Sequence, residues 1–284
     1  MGSSKSKSAT ARGPSVAALH VENTKDASDW RFSTPVIRFY EDNFDVIKEK
    51  PLGEEFEEFD VGSTTCSIGV MIMRSEDEFV YATTGFGNMV LLEEKEQGIP
   101  REKRNHGFEL VFRLPIPEEQ KNAGSNMVLP AWPVDLLLRI CAEKVDDPMP
   151  PVEPTQRVLI NQEQIPESHE QFDQITTRHF FYALADKEED APFNRTLEDA
   201  HGKVRFLFLC GLTAQERFWA KNHGLSALET KMREVSAACN EAADDAEDTE
   251  ASFTFGLNDL YRESVVQRRT IFRSVRLNKA SEVQ

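Results

Sequence analysis

The chain is poor in the residues that usually announce chemistry. Its 284 residues include four cysteines and six histidines, and neither set is clustered. Cys66, Cys141, Cys210 and Cys239 form no CxxC pair, and three of them lie in apolar stretches, where a thiol behaves as a small hydrophobe. That pattern is expected of a reduced intracellular protein without a disulfide framework. His20, His106, His169, His179, His201 and His223 make no HExxH or paired Cys/His spacing, so no metal site is expected. Long apolar runs are missing as well. The longest, Phe206–Leu212, is far short of the ~20 residues a membrane-spanning helix requires. No basic-then-apolar leader opens the chain. Without secretion, Asn194-Arg195-Thr196 reads as a chance match to a glycosylation sequon.

Glycine-rich phosphate loops are absent too: neither GxxxxGK[ST] nor GxGxxG occurs, and Gly85-Phe86-Gly87 is only a GxG, which reads as a turn. There is no GxSxG nucleophile elbow. The carboxylates come in runs, the usual mark of a solvated face, rather than as an isolated acid/base pair. Nothing here argues for an enzyme or a cofactor.

Positive charge is scarce. Against 49 acidic residues there are 33 basic ones, a net −16 that repels phosphate backbones and disfavours nucleic acid. The charge is unevenly spread. Residues 1–15 carry Lys5, Lys7 and Arg12 without an acid (+3), residues 262–284 carry a net +4, and the body between them is therefore −23. Such a body favours a basic or extended peptide partner.

What is present fits one large domain or two small ones. A mean hydropathy of −0.49 implies solvated ends beside a core. Residues 1–28 are small and polar and read as a disordered tail. Asp42–Asp60 mixes acids with Phe44, Phe56 and Phe59 and is expected to be loop-rich. Strands are expected over Thr65–Met73, Glu78–Thr84, His106–Leu114, Arg157–Ile160, His179–Ala185 and Lys203–Cys210. Pro133 suits a first helical turn, and Val134, Leu137, Leu138, Cys141 and Val145 then recur on one helical face. Thr213-Ala214-Gln215-Glu216 is a capping box that starts a helix ending near Gly224. Leu225, Leu228, Met232, Val235 and Cys239 continue as a second amphipathic helix. Six of the ten residues in Glu241–Glu250 are acidic, which marks 241–251 as a linker after a domain over 29–240. Ser252–Phe255 and Val265–Phe272 are strand-like runs in a C-terminal arm, 252–284, that could complete that domain. The order of segments implies an α+β fold with a mixed or antiparallel sheet packed with helices.

Four segments resemble the suppressor of fused (SUFU) domain. They are Tyr81-Ala82-Thr83-Thr84-Gly85-Phe86-Gly87-Asn88, Gly107-Phe108-Glu109-Leu110-Val111-Phe112-Arg113-Leu114, Pro130-Ala131-Trp132-Pro133-Val134-Asp135-Leu136-Leu137 and the stretch from Gly202 through Phe206 to Thr213. The matched span runs from about Phe39 to Met232, and Asn258-Asp259-Leu260-Tyr261-Arg262 is similar to the closing strand of that domain. The resemblance implies a domain without known catalysis that works by binding other proteins. In animals the family's name-giver sequesters a zinc-finger transcription factor of the Hedgehog pathway, gripping an extended peptide between two domains. Bacterial relatives are thought to be immunity proteins. Only one such domain fits this chain, and Met89-Val90-Leu91-Leu92-Glu93-Glu94 stands where the animal protein has an acidic, tyrosine-bearing stretch. The motif residues, Tyr81, Gly85, Gly107, Phe108, Glu109, Phe112, Arg113, Trp132, Pro133, Gly202, Phe206 and Thr213, also read as core and turn positions. A protein-binding module is the first expectation; an enzyme with an acidic cleft for a cationic substrate and an immunity-type antitoxin are the alternatives.

The first seven residues, Met1-Gly2-Ser3-Ser4-Lys5-Ser6-Lys7, fit M-G-x-x-x-[ST] and resemble the start of Src-family kinases. Gly2 would carry the myristate, with Ser6 and Lys7 read by the acyltransferase. The same residues also read as a plain polar tail or a cloning remnant. One myristate binds membranes with an association constant of only about 10⁴ M⁻¹, and each nearby basic residue adds about 1 kcal/mol at an anionic surface. A flexible tail of this length reaches roughly 28 Å, beyond the ~8–10 Å Debye length over which the acidic body is repelled. A cytoplasmic protein with reversible, peripheral membrane attachment is the resulting expectation.

Overall fold

The computed structural model describes residues 34–47, 57–61, 64–87, 98, 107–121, 129–146, 158–159, 176–198, 202–243 and 253–266. Helix α1 (Thr34–Asn43) leads into strands β1 (Asp45–Val46), β2 (Glu57–Val61), β3 (Thr64–Arg74), β4 (Glu78–Thr84) and β5 (Gly107–Pro115). Helices α2 (Glu118–Lys121) and α3 (Trp132–Asp146) precede β6 (Val158–Leu159), β7 (Thr177–Leu184), β8 (Leu197–Glu198) and β9 (Lys203–Thr213). Helices α4 (Ala214–His223) and α5 (Leu225–Ala243) follow. The strands form one sheet in the order β1-β3-β4-β5-β9-β7-β6, with β2 also on β3 and β8 also on β9. Every pairing is antiparallel except β5 with β9, where Gly107 faces Val204 and Val111 faces Phe208. The fold is α+β with a mixed sheet.

Alternation along β5 sets the layers. Phe108, Leu110, Phe112 and Leu114 enter one core with Tyr81, Phe180 and the α3 residues Trp132, Leu137 and Cys141. Val111 enters the other with Val80, Phe206 and Phe208, covered by Val36 and Tyr40 of α1, Ala220 of α4, and Leu228 and Met232 of α5. Burying each large apolar side chain is worth roughly 1.5–3 kcal/mol, so the two cores hold the sheet from both faces. Between α4 and α5, Gly224 has φ 86°, a left-handed conformation that a side chain would strain, and its N–H caps Ala220 O.

Three expectations are corrected. Asp42–Asp60 is not loop throughout: α1 reaches Asn43, Asp45–Val46 pairs with β3, and Glu57–Val61 forms an antiparallel hairpin with Thr64–Ile68. Pairing to an established strand outweighs the weak strand propensity of Glu and Asp. Helix α5 continues to Ala243, three residues into the stretch expected to be linker. Of the run Ser252–Phe255, the described residues Phe253–Phe255 form no strand: over 253–266 the chain is irregular, with one bridge to the sheet among the described residues, Arg113 to Leu257. Val265 and Val266 lie in a turn. Residues 1–33, with Gly2, Ser6 and Lys7, lie outside the described residues, as do 88–97, 147–157, 244–252 and 267–284.

Candidate functional site

Strands β5 and β9 stay paired only to Val111 and Phe208. Beyond that point residues 253–266, here called the strap, close the gap. Asn258 N–H donates to Arg113 O (2.9 Å) and its side-chain amide donates to Leu209 O (2.8 Å), while Gly211 N–H donates to Asn258 Oδ1 (2.6 Å). One side chain thus replaces a missing β partner for β9. At the start of β7, the N–H groups of Thr177 and of Thr176 just before it donate to Leu260 O, and their hydroxyls donate to Asp259 O (2.8 Å) and Arg262 O (2.7 Å), respectively. These bonds give the irregular segment the backbone satisfaction that a strand would obtain from its ladder.

Three arginines clasp the strap. Arg113 holds Glu78 through Nε and Nη2, both at 2.9 Å from Oε2, and donates to Phe255 O (3.4 Å). Arg233 of α5 is bidentate on buried Asp190 (2.8 and 3.0 Å), also holds Glu229 (3.0 Å), and lies 3.9 Å from the centre of the Phe255 ring. Burial alone lowers the Arg233 pKa, but Asp190 and Glu229 reverse this and hold it above the ordinary arginine value. Arg262, on the strap itself, is bidentate on Glu216 (2.7 Å at each prong) and donates to Gly211 O (2.8 Å). Glu216 also caps its own helix: Thr213 N–H donates to Oε2 (2.9 Å) and the Glu216 N–H to Thr213 Oγ1 (3.3 Å). Val265 N–H donates to Oε1 (2.8 Å). The predicted capping box is therefore also the anchor of the strap.

Two large apolar side chains are exposed among the described residues, Phe218 (69%) and Tyr261 (51%). Phe218 follows Glu216 by two residues, which on a helix turns it away from the core. Tyr261 precedes Arg262. The buried Glu216–Arg262 pair joins the two segments that carry these aromatics, the first turn of α4 and the strap. Beside them Arg217 Nη1 lies 3.1 Å from His179 Nε2.

The motif residues of the sequence fall into separate places. Tyr81 is buried and its hydroxyl donates to Pro130 O (2.9 Å), ahead of the start of α3. Trp132 meets Phe112 edge-on (5.3 Å), and Phe112 meets Phe180 (5.5 Å), while Pro133 and Phe108 are buried. Phe206 packs with Phe39 (4.8 Å) and Phe193 (5.3 Å). Gly202 directly precedes β9. Gly85, Gly107 and Glu109 meet in one turn: the N–H groups of Gly85 and Gly87 donate to Glu109 Oε1, each at 3.1 Å. Arg113 and Thr213 join the strap clasp. Sequence reading missed Glu78, Asp190, Arg233, Asn258 and the clasp role of Glu216 and Arg262. The local signals were the capping box and the Glu229–Arg233 spacing; the pairs Glu78–Arg113, Asp190–Arg233, Glu216–Arg262 and Leu209–Asn258 lie 35 to 49 positions apart, and Arg113–Asn258 much farther.

With this geometry in view, comparison with known proteins gives the family. The family model described as Suppressor of fused protein (SUFU) matches residues 64–244, more than half of the chain. The chain belongs to that family. A crystal structure of Drosophila Suppressor of Fused is similar at 16% identity and a TM-score of 0.47, over 77% of this chain and 46% of that one. This chain thus spans less than half the length of the Drosophila protein. The crystal structure of a Sufu-Fu complex is similar at 17% identity and a TM-score of 0.46, over 75% of this chain and 81% of that one. No curated protein matches by sequence.

Proposed function

We propose that this chain is a protein-binding module of the SUFU family and that its partner docks on the end of the molecule formed by α4 and the strap. The observation that carries this reading is the exposure of Phe218 and Tyr261, each within two residues of a member of the buried Glu216–Arg262 ion pair. Rigid aromatic side chains lose little entropy on binding and are enriched among residues that dominate interface energetics. Family membership supports binding rather than catalysis. The −23 body supports a basic or extended peptide as the arriving segment, drawn in by long-range attraction. Photo-crosslinking tests this: a crosslinking residue at Phe218 or Tyr261 captures the partner, and one at exposed Glu188 does not. Equal capture from all three positions refutes this face.

The reading extends to the membrane. Myristate on Gly2, with Lys5, Lys7 and Arg12 beside it, would hold the module peripherally at the cytoplasmic surface. No helix among the described residues is long and apolar enough to cross a membrane.

A further inference from the structure

Helix α4 is basic on the outside of an acidic protein. From Arg217 to Leu228 the chain holds Arg217, Lys221 and His223 and no acid, although 49 of its 284 residues are acidic. The helix has one carboxylate of its own, Glu216, which is fully buried and taken by Arg262. At about 100° per residue, Ala214, Phe218 and Lys221 fall along the middle of the solvent face, and Arg217 falls beside Lys221 on its flank. The exposure agrees: Ala214, Phe218 and Lys221 are exposed and Arg217 is half-buried.

Helix stability accounts for part of this pattern and leaves two residues over. Lys221 and His223 lie in the last turn, where the helix dipole favours a cation. Arg217 lies next to Glu216 near the other end, where the dipole disfavours one. It also stands one turn from Lys221, a spacing at which like charges repel. Its contact in the structure does not relieve that charge. Among the described residues Arg113, Arg233 and Arg262 each hold a carboxylate, whereas Arg217 Nη1 lies 3.1 Å from His179 Nε2. A guanidinium can only donate, so Nε2 accepts and the ring is uncharged in this contact. Histidine thus orients the arginine and leaves its charge uncancelled. Phe218 is the other residue left over, 69% exposed next to Arg217 in the chain.

We propose that the partner's extended segment presents a carboxylate side chain to Arg217 and Lys221 and a neighbouring apolar side chain to Phe218, an inference that rests on the docking face read above and adds the chemistry that face selects. An arriving carboxylate removes the repulsion between the two cations and gains charge-assisted hydrogen bonds from both. Arginine beside an aromatic ring is also the composition enriched at the centre of interfaces. Basic residues elsewhere in the segment answer to the acidic body, in which Glu263 of the strap is exposed one residue from Arg262 and two from Val265, both bonded to Glu216. Long-range attraction to the body speeds the approach, and the cations of α4 set the register.

Selection of a random-peptide phage library on the full chain tests this, with the enriched peptides then synthesised and their affinities for wild type, Lys221→Glu and Phe218→Ser measured by fluorescence polarisation at low salt. The expected peptides share an Asp or Glu within three positions of a large apolar residue and bind each variant at least tenfold more weakly than wild type. Replacing the peptide's acid by Lys should then restore binding to Lys221→Glu, and that rescue shows at once that the variant is folded. Peptides weakened tenfold by Phe218→Ser yet indifferent to Lys221→Glu overturn the carboxylate contact and keep the docking face. Affinity lost on Lys221→Glu without rescue counts against the carboxylate in the same way. Peptides indifferent to Phe218→Ser, or no enrichment at all, overturn the face and this inference with it.

Discussion

Arg262 and Glu216 form a two-pronged ion pair, 2.7 Å at each prong, with side chains only 4% and 0% exposed. It joins the strap to the first turn of α4, and every remaining acceptor site on Glu216 is used by a backbone amide of Thr213 or Val265. Such satisfaction is what allows a buried charge pair to persist at all.

Removing one member should therefore be costly. Arg262→Ala leaves Glu216 buried without its cation and Gly211 O without its donor, and a loss of about 3–5 kcal/mol is expected. Urea denaturation monitored by tryptophan fluorescence measures it. A loss below about 1 kcal/mol would show that the strap is held mainly by Asn258, Thr176 and Thr177.

Gly107 is a glycine for a steric reason, and Gly107→Ala exposes it. The added methyl would meet the Gly87 carbonyl at 2.3 Å, backbone against backbone, so no rotamer change relieves it. A destabilisation of about 1–3 kcal/mol is expected from such overpacking. Gly98→Ala is the comparison: Gly98 has φ 73° and open space around its missing Cβ, so only conformational strain applies there. Thermal unfolding should place Gly107→Ala well below Gly98→Ala.

The contrast between these positions and the sequence reading has a physical basis. Strands β3, β4, β5, β7 and β9 and helices α3, α4 and α5 were legible because each carries its own apolar period or cap within one segment. The Thr213–Glu216 box is three residues long and needed no tertiary knowledge. Arg113 was visible as a motif residue of an apolar strand, but the clasp was not legible, because Glu78, Asp190 and Glu216, which hold Arg113, Arg233 and Arg262, lie 35 to 46 positions away in other elements. The strap misled for the same reason: Phe253, Phe255 and Val265 look like strand residues, yet they fill a core beside strands that are already paired. Helix α1 was missed although Pro35 lies in its first turn and Val36, Ile37, Phe39 and Tyr40 form its buried face.

Glu109 gives stability a pH dependence of definite sign. Burial, against the pull of Thr83 and the turn amides, raises its folded pKa to about 8, above the unfolded value, 4.5, so between these the folded state binds the extra proton. Stability from this residue is fully present below the unfolded value and is lost as pH rises through about 8. Unfolding free energy measured in urea from pH 5 to 9 should decline in the wild type. In Glu109→Gln the Glu109 part of that decline should vanish, and parallel profiles for the two proteins would contradict the assignment.

The tail offers a separate test, since Gly2 precedes α1, which begins at Thr34, by more than thirty positions. Gly2→Ala removes the amine that myristate would acylate and leaves Lys5, Lys7 and Arg12 in place. Cell fractionation should then find the variant in the soluble fraction and a share of wild type on membranes. Identical distributions would mean that the first seven residues do not act as an anchor. Because a single chain gives only marginal attachment, Lys5→Glu with Lys7→Glu should reduce the membrane share even with Gly2 intact.

Phe218 and Tyr261 should separate binding from folding. Neither side chain is buried in the core, so Phe218→Ser and Tyr261→Ser are expected to change stability by no more than about 0.5 kcal/mol. At an interface, losing an aromatic anchor costs about 2 kcal/mol or more, which is roughly thirtyfold in affinity. Calorimetry of the crosslinked partner with each variant should show that loss, and the double variant should lose more than either alone. The stability half of the experiment is needed because Tyr261 adjoins Arg262: a variant that weakened binding and also lowered the urea midpoint would be reporting on the clasp. Weakened binding with an unchanged midpoint assigns the two rings to the partner. Unchanged binding in the double variant moves the docking face elsewhere on the domain.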